Sequence, residues 1–240
     1  MYIETSQLRQ ETRRKLKQDR KGWTKVALPM IVVTLTMFLT RFYMILQVFY
    51  NFFEQIVTNG FSIGLIFRSF SSIVGIQVIM YVLSYVTIVV EILQADVAQR
   101  KMQGEDVSAG DVLTGNKDWG YILRLALTMW LSASFLPKLI PALGNLVSIG
   151  LSLFYISVPY MTQHQDADSA LNTLKNNFAY GKHYIGTYIK LVYGYYLYDW
   201  LLVGLTFGLW GIVLYPKLLV AKTILFSELE QALLEEGVQD

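Results

Sequence analysis

The stretch Val26-Ala-Leu-Pro-Met-Ile-Val-Val-Thr-Leu-Thr-Met-Phe-Leu-Thr-Arg41 is almost uninterrupted apolar sequence. Past its single arginine it continues as Phe-Tyr-Met-Ile-Leu-Gln-Val-Phe-Tyr-Asn-Phe-Phe53. A bilayer core about 30 Å thick takes about 20 helical residues, so this stretch can cross a membrane and still tilt or protrude. Eight of the 20 basic residues lie within the first 25 positions: Arg9, Arg13, Arg14, Lys15, Lys17, Arg20, Lys21 and Lys25. That basic region is long for a secretory signal, and no small-x-small cleavage site follows the first apolar run. The expectation is an uncleaved first membrane span.

Further apolar stretches follow at Ser71–Ala95, Gly120–Leu139, Leu143–Met161, Tyr184–Leu205 and Phe207–Phe226. They are long and apolar on all faces, whereas barrel strands would alternate over about ten residues. The predicted fold is all-α, a polytopic transmembrane helical bundle of about six spans with short interfacial helices. It divides into a basic cytoplasmic N-terminal segment (1–25), a six-helix transmembrane domain (26–226) and an acidic cytoplasmic C-terminal tail (227–240). Composition agrees: 54% of the 240 residues are hydrophobic, 14% aromatic and 16% charged, where a soluble domain carries about 25% charged residues. Mean hydropathy is +0.40. High hydrophobicity excludes a disordered chain, and zero cysteines exclude a disulfide scaffold or a cysteine-based metal or redox site.

Basic residues set the orientation. The segments and span ends assigned to the inner side carry 17 of them, and the outer side keeps Arg41, Arg68 and Lys138. The positive-inside rule then places both termini in the cytoplasm. The uncharged turn Gly204-Leu-Thr-Phe-Gly208-Leu-Trp-Gly211 matters here, because merging the last two spans would move the C-terminus to the other side.

Shorter signals lie between the spans. Asn51–Phe70 reads as an outer interfacial helix. Ser108 with Asp111 is a capping-box-like helix start. Asp166 or Asp168 can cap a helix whose Ala170, Leu171, Leu174 and Phe178 form one apolar stripe. A basic or glycine-containing segment with an aromatic precedes three spans, at Lys21-Gly22-Trp23, Gly115 to Gly120 and Gly181 to Tyr184, as a weak hairpin repeat.

Four segments carry a family resemblance: Arg14 to Val26, the loop Met102-Gln-Gly-Glu-Asp-Val-Ser-Ala-Gly-Asp-Val-Leu-Thr-Gly115, Ala170 to Lys182, and Tyr198-Asp-Trp through Tyr215-Pro216. Together they resemble the DUF975 family of bacterial integral membrane proteins over nearly the whole chain. Tyr215-Pro216-Lys217 departs from the family's Pro-Tyr pattern, and the fifth span is unusually rich in tyrosine. The resemblance implies a helical membrane protein and carries over no reaction, cofactor or catalytic residue.

Charge at mid-bilayer costs about 2.5–3.5 kcal/mol on insertion scales, so ionisable residues inside spans are the functional candidates. These are Asp199, Lys217, Arg41 and Glu91, with Tyr195 and Tyr196 beside Asp199. Asp199 can pair with Lys217 or Arg41 in a solute or proton site; the plainer reading is a structural ion pair. Glu91, four residues from Ala95, suits snorkelling to the interface. On the N-terminal segment, Arg13, Arg14, Lys15, Lys17, Arg20 and Lys21 are candidate contacts for anionic inner-leaflet lipids, in preference to nucleic acid. Gly60-Phe-Ser-Ile-Gly64 matches a nucleophile-elbow string without its strand–turn–helix context. His164-Gln-Asp166-Ala-Asp168 reads as a cap and polar loop before a metal cluster. No Walker, zincin or dinucleotide motif is present. The reading that follows is a non-enzymatic accessory or scaffold protein that binds another membrane protein or lipids, with no cofactor. The alternative is a small-solute or lipid transporter or channel with a polar site around Asp199. Membrane lipids and a membrane-protein partner are the expected associations, and homo-oligomerisation stays open.

Overall fold

The computed structural model of the chain describes residues 4–59, 74–114, 118–140, 143–161 and 170–235. Among these there is no strand. The helices are α1 (Thr5–Gln18), α2 (Arg20–Asn59), α3 (Val74–Met102), α4 (Asp111–Thr114), α5 (Trp119–Trp130), α6 (Gly144–Phe154), α7 (Val158–Met161), α8 (Ala170–Ile189), α9 (Leu197–Leu205) and α10 (Gly211–Glu235). The all-α expectation therefore holds.

Two helical stretches are long and apolar enough to cross a membrane: Arg20–Thr58, 39 residues at mean hydropathy 1.7, and Gln77–Met102, 26 residues at 1.9. The third, fourth and fifth expected spans are interrupted, whereas the sixth is continuous from Gly211 as α10. After α5 the chain widens into a π turn at Leu131–Phe135 and tightens into a 3-10 turn at Leu136–Leu139, where Pro137 supplies no N–H. Between α6 and α7 it passes through a 3-10 turn at Tyr155–Ser157. Pro159 explains that break, because its ring would collide with the carbonyl four residues back, at Tyr155. The carbonyls there are satisfied from α8: Tyr184 donates to Phe154 O at 2.6 Å, and Asn177 Nδ2 donates to the same oxygen. The fifth stretch is broken by a π turn at Lys190–Tyr195.

α2 packs against α3 and α10, α3 against α5 and α7, and α8 against α5 and α6. Leu93, Leu125, Val158, Tyr184, Leu191 and Val220 are fully buried at the centre. The far half of α2 is different: Phe42, Tyr43, Leu46, Phe49, Tyr50 and Phe53 are all exposed. A soluble monomer rarely leaves so large a contiguous apolar surface uncovered.

Several expectations are corrected. Asn51–Asn59 is no separate interfacial helix; it continues α2 without a break. The stretch around Ala170 is likewise one rod with the start of the fifth span, since nothing between Ala170 and Ile189 stops the helix. Leu174 is buried there, but Leu171 is 68% exposed; the side chain of Phe178 lies outside the described residues. α10 runs through position 226 to Glu235, so the acidic segment expected from 227 begins as helix. α1 does not stand free: it folds back on α10 with Leu8 and Thr12 buried. Its Arg13, Arg14 and Lys17 remain exposed, as do Arg20 and Lys21 at the start of α2. At α4, Asp111 Oδ2 accepts from the backbone N–H of Ser108 at 2.6 Å and from its hydroxyl at 3.0 Å, the reciprocal half of the expected capping box. The three repeat-like segments do different work. Trp23 and Tyr184 are buried while Trp119 is exposed, and a Cβ at Gly22 would meet Lys101 Nζ at 2.4 Å whereas one at Gly181 would meet the Phe154 ring.

The junction between α1 and α2 is an ionic clamp. Asp19 accepts from Lys101 Nζ at 2.6 Å and from the Gly22 N–H at 2.8 Å, and Lys101 lies over the Trp23 ring. The Lys101 ammonium, followed by the Gly22 N–H, holds the Asp19 carboxyl below its ordinary 3.8. A depressed folded value means that the clamp stabilises above the unfolded pKa and is lost as pH falls through the folded one. Asp19→Asn should therefore lower Tm near neutral pH. The difference from wild type should shrink below about pH 3.8. A constant difference across that range would sink the assignment.

Candidate functional site: an interior groove beside two ion pairs

α2, α3 and α10 line a half-open groove of about 480 Å³, to which α6, α7, α8 and α9 also contribute wall residues. On α2 the wall is Ala27, Met30, Thr34, Met37, Phe38 and Arg41, at helical spacing along one face. Fourteen residues at 1.5 Å rise make that wall about 21 Å long. α3 contributes Thr87, Glu91 and Gln94, and α10 contributes Tyr215, Leu218, Leu219 and Lys222, again one face each. A second cavity of about 420 Å³ shares Ser152, Ile156, Tyr188 and Trp200 with the first. The two lie side by side across these residues.

Glu91 and Lys222 form an ion pair across the groove wall, with side chains 26% and 14% exposed. Tyr188 places its ring 5.9 Å from the Lys222 ammonium. Glu91, which suits snorkelling by its place in the sequence, has a cation on α10 as its partner in the structure. Lys222 was expected among the inner-side charges and is turned into the bundle instead. A signal for it exists in the sequence: Tyr215, Leu218, Leu219 and Lys222 share a face, with the ionisable residue at its end.

Arg41 also lines the groove, and its side chain is exposed at the groove's end. No carboxylate pairs with it among the described residues.

Asp199 is not in the groove. It lies at the start of α9 and is buried. Its Oδ2 accepts from Lys217 Nζ at 2.8 Å and its Oδ1 from the Trp210 indole N–H at 2.8 Å. Of the two partners weighed for it, Lys217 is the one the structure supplies; Trp210 was not foreseen. Trp210 closes the turn Thr206–Trp210 and Lys217 lies beyond it, so the carboxylate clasps the α9–α10 hairpin. The turn itself reverses the chain: Phe207 and Gly208 have positive φ, 50° and 90°, and Gly208 N–H donates to Val203 O at 2.7 Å. A Cβ on Gly208 would meet the Phe38 ring at 3.0 Å, so glycine is needed for both conformation and space. The last two expected spans are therefore not one continuous helix. Tyr196 is buried near Asp199, while the side chain of Tyr195 lies outside the described residues.

Comparison of the chain with protein-family models, with curated proteins and with solved structures found no match.

Among the described residues no group of three or more histidine and acidic side chains is placed to hold a metal. The His164–Asp168 stretch and the Gly60–Gly64 string lie outside them. The arrangement within the groove is suited to holding, with apolar walls, one exposed guanidinium and an internally compensated ion pair.

Proposed function

We propose that the chain is a multi-pass membrane protein of the bacterial plasma membrane, resembling DUF975, with about six spans and both termini in the cytoplasm. Its role is non-enzymatic: it binds lipids or another membrane protein. The observation that carries this reading is the apolar girdle. α2 leaves a row of aromatic and aliphatic side chains exposed over its far half, while Glu91, Lys222, Asp199 and Lys217 are paired inside. Apolar outside and paired charge inside is the arrangement lipid selects for. The breaks after α5, α6 and α8 suit this setting, because non-helical backbone at membrane depth is tolerated where protein covers it. The basic face of Arg13, Arg14, Lys15, Lys17, Arg20 and Lys21 adds attraction to anionic lipid, about 1 kcal/mol per residue close to the surface.

A transporter or channel is the second reading. What favours it is the groove, a largely apolar space that reaches the Glu91–Lys222 pair, in place of a site at Asp199.

The cysteine-free chain makes the test clean. Single cysteines placed near residue 5 and residue 228 should both label only from the cytoplasmic side. Native mass spectrometry of gently extracted protein should find a retained lipid or a stoichiometric protein partner. Labelling of the termini from opposite sides would overturn the topology, and a bare chain released under gentle conditions would overturn the binding role.

A further inference from the structure

The groove has a polarity that selects its occupant. Its α2 wall runs from Ala27 to Arg41, parallel to a helix long enough to cross a bilayer. Trp23, buried beside Lys101, marks one end of that helix's packed region. Arg41 stands at the far end of the α2 wall, about 21 Å from Ala27, with its guanidinium exposed there. Glu91 and Lys222 cancel one another, so the formal charge that remains on the described lining is the single positive charge of Arg41. Below Arg41 the wall is largely apolar: Met30, Met37, Phe38, Leu218 and Leu219. The cavity beside it, toward Val192 and Leu197, is apolar as well.

We infer that the groove binds one anionic lipid, its phosphate on Arg41 and an acyl chain along the α2 wall. This inference rests on the membrane reading above and names the ligand of the groove. Three features agree on that occupant. A guanidinium presents a planar fork matched to phosphate oxygens. The one uncompensated charge on the described lining is positive, which favours an anionic head. The groove and the cavity beside it offer more room than a small inorganic anion uses.

The test uses full-length protein in neutral detergent, given phosphatidylglycerol or phosphatidylcholine with identical chains and read by native mass spectrometry. Wild type should retain one phosphatidylglycerol in preference to phosphatidylcholine. Arg41→Gln should weaken that retention about tenfold, the scale of one lost charge-assisted hydrogen bond, and Arg41→Lys should keep a large part of it. Ser152→Trp, which fills the wall shared by the two cavities, should reduce retention with Arg41 untouched. Glycerol phosphate, the head without chains, should not compete. Equal retention of phosphatidylglycerol by wild type and by Arg41→Gln of unchanged helicity would overturn the inference. So would displacement by glycerol phosphate, which would indicate a site for free anions. Loss of lipid only when the basic residues of the N-terminal segment are changed to glutamine would also overturn it, while leaving the surface attraction of the proposed function standing.

Discussion

Lys222→Met, with Glu91 left in place, should lower stability by about 3 kcal/mol, the scale of a buried pair deprived of one partner. The reason is desolvation. Lys222 is only 14% exposed, and its removal leaves Glu91 beside apolar walls and the rings of Tyr160 and Tyr188 with no counter-ion. The double variant Glu91→Leu/Lys222→Met should return to within about 1 kcal/mol of wild type, because a well-packed apolar pair commonly replaces a buried ion pair at little cost. The pair would then be worth little in itself and expensive only when halved. A double-mutant cycle by thermal unfolding in detergent measures the coupling directly. Additive single effects would mean that the two charges act independently. Loss of lipid retention in the double variant would further implicate the pair in shaping the groove.

Asp199→Ala should cost about 2–3 kcal/mol, since it leaves both the Lys217 ammonium and the Trp210 indole N–H without their acceptor. Lys217 is 31% exposed and recovers part of its hydration, which keeps the figure below that of a fully buried pair. Asp199→Asn should cost about half as much, because the amide oxygen still accepts from Trp210. The local readouts are Trp210 fluorescence and protease sensitivity of the Thr206–Trp210 turn, which should open before the rest of the bundle. If Asp199→Asn left stability and the turn unchanged yet removed lipid binding or flux, the clasp assignment would be wrong and a transport site at Asp199 restored.

Legibility differs between the parts of the molecule. The capping residues at Ser108 and Asp111 are local, and the sequence expresses them because partner and helix are three residues apart. The π and 3-10 breaks are half-local. Pro137 and Pro159 announce them, but whether a freed carbonyl is tolerated depends on Asn177 and Tyr184, which arrive from a different helix. The candidate residues divide the same way. Asp199 and Lys217 are visible as ionisable residues in apolar sequence, and their separation of 18 positions across a turn makes pairing natural. Glu91 and Lys222 are 131 positions apart, and no periodicity joins them.

The sequence by itself determined the helical class, the apolar length of α2 and α3 and the small set of ionisable residues lodged among apolar ones. These follow from composition and from hydrophobic runs, which act through the transfer of side chains out of water and need no neighbour to be felt. Only the tertiary structure decided which charges meet, that α1 folds back on α10, that α8 is one rod, and that Arg41 and Glu91 border a common groove. Those outcomes depend on which helices lie side by side. Helix adjacency is settled by packing of whole faces, a sum over many weak contacts distant in sequence, so no single motif records it.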